Sequence, residues 1–153
     1  MKYGLDVPIN GEYADPQTLA KLAIESEEAG WDGFFVQGGV LSDESMTDPW
    51  VALAAVAMQT QRIRIGSLVT ALAGRRPWQV ARQVVTLDHL SNGRLIFGAG
   101  LGFEAHEFTA LGEDADPKIR AEKLDEGLEV LNGLWTGASL TFRGRHYHIN
   151  DVR

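Results

Sequence analysis

Glycine stands at alternate positions in Gly98-Ala99-Gly100-Leu101-Gly102, and a backbone without Cβ atoms lets a flat ring or a phosphate come close. The phosphate reading is the weaker one. The spacing is not G-x-G-x-x-G, the run follows the fourth strand candidate rather than the first, and no long helix begins at once. Tight packing of strand on helix is the structural alternative for the same glycines. Glu104 and His106 lie just beyond the run and are the nearest groups able to carry a proton. A solvated loop carboxylate is the competing reading of Glu104.

The remaining polar residues form no recognisable catalytic set. His89 falls near a helix end, where an imidazole suits the negative pole. His146 and His148 are two apart on a strand candidate, hence on one face, but no third ligand completes a metal site. Arg75 and Arg76 precede Pro77, where they could meet an anionic cofactor tail or substrate, or cap a rim. Asp6, Glu12 and the Glu27-Glu28 pair do not assemble an acid–base pair at strand ends. There is no Ser-His-Asp triad, no P-loop and no zinc spacing. With no cysteine in 153 residues, disulfides and thiolate chemistry are excluded.

Residues 61–103 read as strand, loop, helix, turn, strand and glycine run. Ile63, Ile65, Leu68 and Val69 suit a strand buried on both faces. Pro77 opens a helix whose apolar face is expected at Trp78, Ala81, Val84 and Val85. Ser91-Asn92-Gly93 stops it, and residues 94–97 form the next strand. Strand, helix, strand in this order is a βαβ unit of a parallel sheet.

The same device recurs along the chain. Residues 3–7 and 31–36 are strand candidates, and Asp15-Pro16, Asp48-Pro49 and Asp116-Pro117 are helix starts. The first helix buries Leu19, Leu22, Ala23 and Ser26, turns Glu25, Glu27 and Glu28 to water, and ends at Gly30. A polar loop with Asp43 and Glu44 follows the second strand, and residues 103–114 form a loop of mixed character. Ala121, Leu124, Leu128, Leu131 and Trp135 step by three and four, the stripe of a final helix. Residues 140–149 read as a hairpin turning at Arg143-Gly144.

The expectation is therefore one α/β domain, residues 1–153, with four parallel βα units and a terminal hairpin. Ligands of such sheets sit at the carboxyl ends of the strands, here residues 6–9, 37–39, 67–71 and 98–104. A formal charge of −7 argues against nucleic acid or an anionic membrane as partner. The longest apolar run, residues 50–58, is far short of the roughly 20 needed to span a bilayer, and the start lacks a signal-peptide segment. A soluble cytoplasmic protein is expected.

Several phrases, in order, carry a resemblance: WDGFFV at 31–36, DPWVALAAVA at 48–57, IRIGSLVT at 63–70, RRPWQVARQVVTLDHLSNGRL at 75–95, FGAGLG at 97–102, RAEKLDEGLEVLNGLWTG at 120–137 and FRGRHYHI at 142–149. The chain resembles the front half of the luciferase-like monooxygenase family, flavin- and deazaflavin-dependent oxidoreductases built on a (β/α)8 barrel. The resemblance implies FMN or coenzyme F420 as cofactor. It implies that Ser67, Leu68, Val69 and Thr70 form a backbone bulge, sometimes with a non-proline cis peptide, behind the cofactor ring. It implies that Gly98, Gly100, Leu101 and Gly102 edge that ring.

Three departures from the family pattern stand out. Gly38 and Gly39 occupy places where deazaflavin-type members commonly carry Asp-His. Phe103 occupies a place where some relatives carry a carboxylate. Thr70-Ala71 replaces the usual Thr-Pro. Four strands do not close a barrel of eight, so completion by a homodimer or another partner is expected, a two-fold interface needing one self-complementary patch. A piece of a longer chain is the alternative. A non-catalytic half-barrel scaffold is the alternative to an oxidoreductase acting on a small molecule.

Overall fold

A computed structural model describes residues 1–41 and 44–153. Asp43, read above as part of a polar loop, lies outside them. The order is β1 (Gly4–Val7), α1 (Pro16–Glu28), β2 (Gly33–Gly38), α2 (Pro49–Gln59), β3 (Arg64–Ala71), α3 (Pro77–Leu90), β4 (Leu95–Gly100), α4 (Ala105–Thr109), α5 (Pro117–Trp135), β5 (Leu140–Arg143) and β6 (His148–Val152). Four parallel strands form one sheet in sequence order, and β5 and β6 form a separate antiparallel hairpin.

Local signals set the helix starts. Asp15 accepts the N–H groups of Gln17 and Thr18 at 3.2 and 3.0 Å, Asp48 those of Trp50 and Val51 at 2.9 and 3.0 Å, and Asp116 that of Lys118 at 2.8 Å. Each cap satisfies donors that the first turn leaves open, worth about 1 kcal/mol against alanine. Asn92 and Gly93 both take positive φ, 54° and 76°, and end α3 as their types suggest.

The two faces of the sheet differ. Val7, Phe34, Val36 and Ile65 point outward into the core shared with Leu19 of α1, Leu53 and Val56 of α2, and Val80 and Val84 of α3. Asp6, Phe35, Gly66 and Ile96 share one register row on the inner face. Among the described residues no element covers that face, and Ile96 is exposed there. Among the described residues β1 pairs only with β2, and β4 only with β3.

The amino ends of the strands are tied shut. Arg94 is buried and donates to the carbonyls of Ala57, Thr60, Ile63 and Ser91 and to the Thr60 hydroxyl, at 2.7 to 3.0 Å. Glu27 accepts the N–H groups of Gln61, Arg62 and Ile63. It is thus no solvated carboxylate, contrary to the helical-face expectation, because the backbone ends of a neighbouring loop meet it.

Other expectations need correction. The buried residues of α3 are Pro77, Val80, Ala81, Val84 and Leu87, whereas Trp78 and Val85 are exposed. Trp78 instead sets its ring edge-on against Tyr147 of the hairpin turn, centroids 6.4 Å apart. Helix α5 buries Arg120, Gly127, Val130 and Leu131; Leu124 and Leu128 are half-buried and Trp135 is exposed. The loop after the glycine run contains the short helix α4, and β4 runs through Gly98 to Gly100 rather than ending at Phe97. No helix among the described residues is long and apolar enough to cross a membrane.

Candidate functional site

The bulge lies in β3. Register runs from Ser67 paired with Phe97 to Thr70 paired with Ala99, so Leu68 and Val69 face one residue of β4, Gly98. On the other side the same two residues face Gln37. The Leu68–Val69 peptide is cis. Both side chains reach the inner face: a Cβ on Gly98 would stand 3.3 Å from Leu68 Cδ2 and from Val69 Cγ1. Each is 42% exposed. A bulge breaks the alternation of a strand, so two successive apolar side chains stand side by side.

The glycines of β4 answer to that bulge. A Cβ at Gly98 would lie 2.5 Å from the Ser67 carbonyl oxygen, and one at Gly100 would press on Val69. Gly98 and Gly100 therefore leave β4 bare beside the bulge, and packing alone requires it. Ser67 and Thr70 share rows with Val36 and Ala99 and are buried on the outer side of the sheet. Of the four bulge residues, only Leu68 and Val69 present side chains to the inner face.

A cavity of about 530 Å³ opens at the carboxyl ends of the strands. Gln37, Gly38, Gly39, Leu68, Val69, Leu101, Gly102 and Phe103 line it, with Ile9, Asn10, Leu41, Met46, Ala71 and Glu107. A larger groove of about 1120 Å³ lies on the outer helical side, between α2, α3 and β6. It faces away from the strand ends, where ligands of parallel sheets bind.

Glu107 is the buried carboxylate of the cavity wall, and sequence reasoning missed it. It is 7% exposed and accepts the Val40 N–H at 3.1 Å, tying α4 to the segment after β2. No local pattern marks it, since its partner lies 67 residues away. His106 and Glu104 are exposed and stand outside the cavity lining. Gly102, at φ +89°, lies under Phe108, whose ring a Cβ would meet at 2.6 Å. Arg120 crosses that ring at 4.7 Å and donates to the Gly102 carbonyl at 3.3 Å.

Asp6 lies on the inner face of β1. Burial raises its carboxyl pKa, and the Gln37 side chain beside it works against the rise. Burial also lowers the pKa of the Arg75 guanidinium, with Asp48 opposing. Arg76 lies 5.8 Å over the Trp78 ring. Neither arginine lines the cavity.

Gly38 and Gly39 differ in what they permit. A Cβ on Gly38 would overlap the Val69 carbonyl oxygen, whereas one on Gly39 meets, among the described residues, the Met46 methyl at 3.0 Å. The distant histidines stay apart from the site. His89 is exposed in the last turn of α3. His146 sits in the hairpin turn, not on a strand, with Nε2 3.0 Å from Glu122, while His148 is in β6. They do not form the shared face expected of them, and no group of metal-binding residues occurs among the described residues.

A family model described as luciferase-like monooxygenase matches residues 4–153. An F420-dependent glucose-6-phosphate dehydrogenase of Amycolatopsis mediterranei is 31% identical over 150 residues, covering 94% of this chain and 45% of its own. Limonene 1,2-monooxygenase of Rhodococcus erythropolis is 40% identical over 122 residues, covering 80% and 30%. The solved monooxygenase RslO1 of Streptomyces bottropensis superposes with a TM-score of 0.87 at 27% identity, over 99% of this chain and 48% of that one. The oxygenating constituent of 3,6-diketocamphane monooxygenase from Pseudomonas putida, solved with FMN, gives 0.87 at 20% identity over 100% and 44%, a likeness of fold. The chain thus spans less than half the length of these relatives.

Proposed function

Because the chain belongs to the luciferase-like monooxygenase family, we propose that its inner sheet face holds the ring of FMN or coenzyme F420 and serves an oxidoreductase. One observation carries this reading: the exposed apolar pair Leu68 and Val69 stands on a bulge beside a strand made bare by Gly98 and Gly100. Flat apolar surface of this kind fits a planar ring. Leu68 and Val69 would support it, with Leu101 and Gly102 at its margin. The bound coenzyme supplies the redox chemistry; the protein binds, orients and excludes water. Ser67 and Thr70, buried on the outer side, point away from that ring. His106 and Glu104 have no part in the reading.

The free edges of β1 and β4 and the uncovered inner face support a partner that continues the sheet, and a second copy of the chain is the reading proposed. One observation favours a non-catalytic assembly role instead. Gly38 and Gly39 offer no side chain for proton transfer beside the bulge.

Titration of FMN, and separately of coenzyme F420, into the protein tests the first reading by the visible absorbance band. A saturable band shift is expected with one of them, weakened about tenfold in the L68A/V69A variant, a loss equal to about 1.4 kcal/mol of apolar contact. No shift with either coenzyme would sink it. Light scattering on the same samples reads the mass, and a monomer that binds coenzyme fully would overturn the second-copy proposal.

A further inference from the structure

The groove of about 1120 Å³ on the outer helical side lies away from the coenzyme face, with α3 as one wall and β6 as another. His148, Ile149 and Asn150 of β6 all adjoin it. Successive residues of a strand point to opposite faces. Ile149 is buried against Val130 and Tyr147, whereas His148 and Asn150 are exposed. A groove that meets both sets runs along the edge of the strand rather than under one face. Among the described residues β6 pairs only with β5, so this edge carries backbone N–H and C=O groups with no strand beside them. Asp151, at φ +50°, stands outside the lining and ends the straight edge, so the stretch open to pairing is 148–150.

The charge of the groove runs against that of the chain. The chain carries −7, yet the described lining holds Arg82 and His148 and no aspartate or glutamate. Arg82 is exposed, and no carboxylate among the described residues pairs with it. The floor is apolar, with Trp50, Leu87 and Ile149 each buried. Cations thus stand at the rim and hydrocarbon at the bottom, the arrangement that alternating side chains of an added strand would meet. A small organic acid would answer Arg82 alone. Only an extended peptide also brings N–H and C=O groups at the spacing of the open edge.

We propose that the groove docks an extended segment of a partner protein, added as a strand to β6. Its apolar side chains turn to the floor, and its aspartate or glutamate side chains turn to Arg82 and His148.

Fluorescence anisotropy with labelled peptides tests it. The probes alternate valine with glutamate or valine with lysine, and the glutamate peptide is also made with alternate amide nitrogens methylated, in each of the two phases. The glutamate peptide is expected to bind saturably and the lysine peptide about tenfold more weakly. Methylation should abolish binding in one phase only, because alternate N–H groups of a strand point to opposite edges. The exposed substitution Arg82→Glu should weaken the glutamate peptide about tenfold and favour the lysine peptide. Hydrogen exchange of the backbone amides in 148–150 should slow when the glutamate peptide is bound. Equal affinity for the glutamate and lysine peptides, binding that survives methylation in both phases, or parental affinity in R82E would each overturn the proposal. So would absence of peptide binding together with exchange protection of 148–150 that vanishes on dilution, the mark of a groove filled by a second copy of the chain.

Discussion

A β-carbon built on Gly100 would stand 2.6 Å from Cγ2 of Val69. The two residues belong to neighbouring strands, and the bulge in one is matched by the missing side chain in the other. Gly100→Ala should therefore destabilise the fold by about 1–3 kcal/mol, the usual cost of overpacking. Val69→Ala removes the obstructing methyls, so the double variant should recover most of that loss. Urea denaturation of the four proteins measures the coupling. Strict additivity would show that the two residues do not compete for space.

Gly38 and Gly39 should respond oppositely to a methyl group. Gly38→Ala drives a Cβ into the Val69 backbone carbonyl, which cannot swing aside, and should cost roughly 2 kcal/mol or more. Gly39→Ala meets, among the described residues, the end of the flexible Met46 side chain and should stay within about 0.5 kcal/mol of the parent. Thermal melts of the two single variants decide it; equal losses would contradict the geometry.

Arg94 and Glu27 grip the same residue, Ile63, from its two sides. Glu27 accepts the Ile63 N–H at 2.7 Å while Arg94 donates to the Ile63 carbonyl at 3.0 Å. Arg94→Lys keeps the charge but cannot span the buried acceptors around it. At 1–3 kcal/mol for each buried group left unpaired, a loss on the order of 3 kcal/mol is expected. Guanidinium unfolding measures it. The coenzyme band shift of the folded variant should be unchanged, since Arg94 sits at the opposite end of the strands.

Acid should loosen the same end. For Glu27, burial works to raise the pKa, but hydrogen bonds from Ile63, Arg62 and Gln61 outweigh it and hold the carboxyl below its ordinary value. Glu126 is alike: burial opposes, and the N–H groups of His146, Arg145 and Tyr147 prevail. A depressed folded pKa means that the unfolded chain takes up protons first. The stabilisation is complete above the ordinary carboxylate pKa and is lost as pH falls through the lowered folded values. Urea midpoints between about pH 6 and pH 3 should fall steeply for the parent and less steeply for E27Q/E126Q. Parallel slopes would show that these carboxylates are not the acid-sensitive groups.

What could be read from sequence was what neighbours in sequence decide. The Asp–Pro starts at 15, 48 and 116, the left-handed Asn92-Gly93 stop and the hairpin alternation at Leu140 to Arg143 all depend on residues within four positions of each other. The phase of α3 did not, because Trp78, Val80, Val84, Val85 and Leu87 spread apolar surface around much of the helix. The hairpin claims Trp78, the core under the sheet claims Val80, Val84 and Leu87, and Val85 stays exposed. Glu27 and Glu107 escaped for a related reason: their partners lie 34 to 36 and 67 positions away. In the site, glycine spacing and resemblance pointed to the strand ends where the bulge and the cavity lie. Which side of the sheet each bulge residue would take required the register itself, since Ser67 and Thr70 turn away while Leu68 and Val69 turn in.

The sheet has two unlike borders, β1 and β4, and all its strands run the same way. Strands added in the same direction join one sheet's β4 to the next one's β1, a head-to-tail contact rather than a patch meeting itself. Such a contact repeats by a fixed rotation. If four strands turn through half a circle, two sheets form a ring and both borders vanish. If they turn through less, the same contact propagates as an open spiral with a live border at each end. Were further copies to continue the sheet in this way, its curvature would govern more than the shape of one cavity: it would decide whether this surface terminates or polymerises.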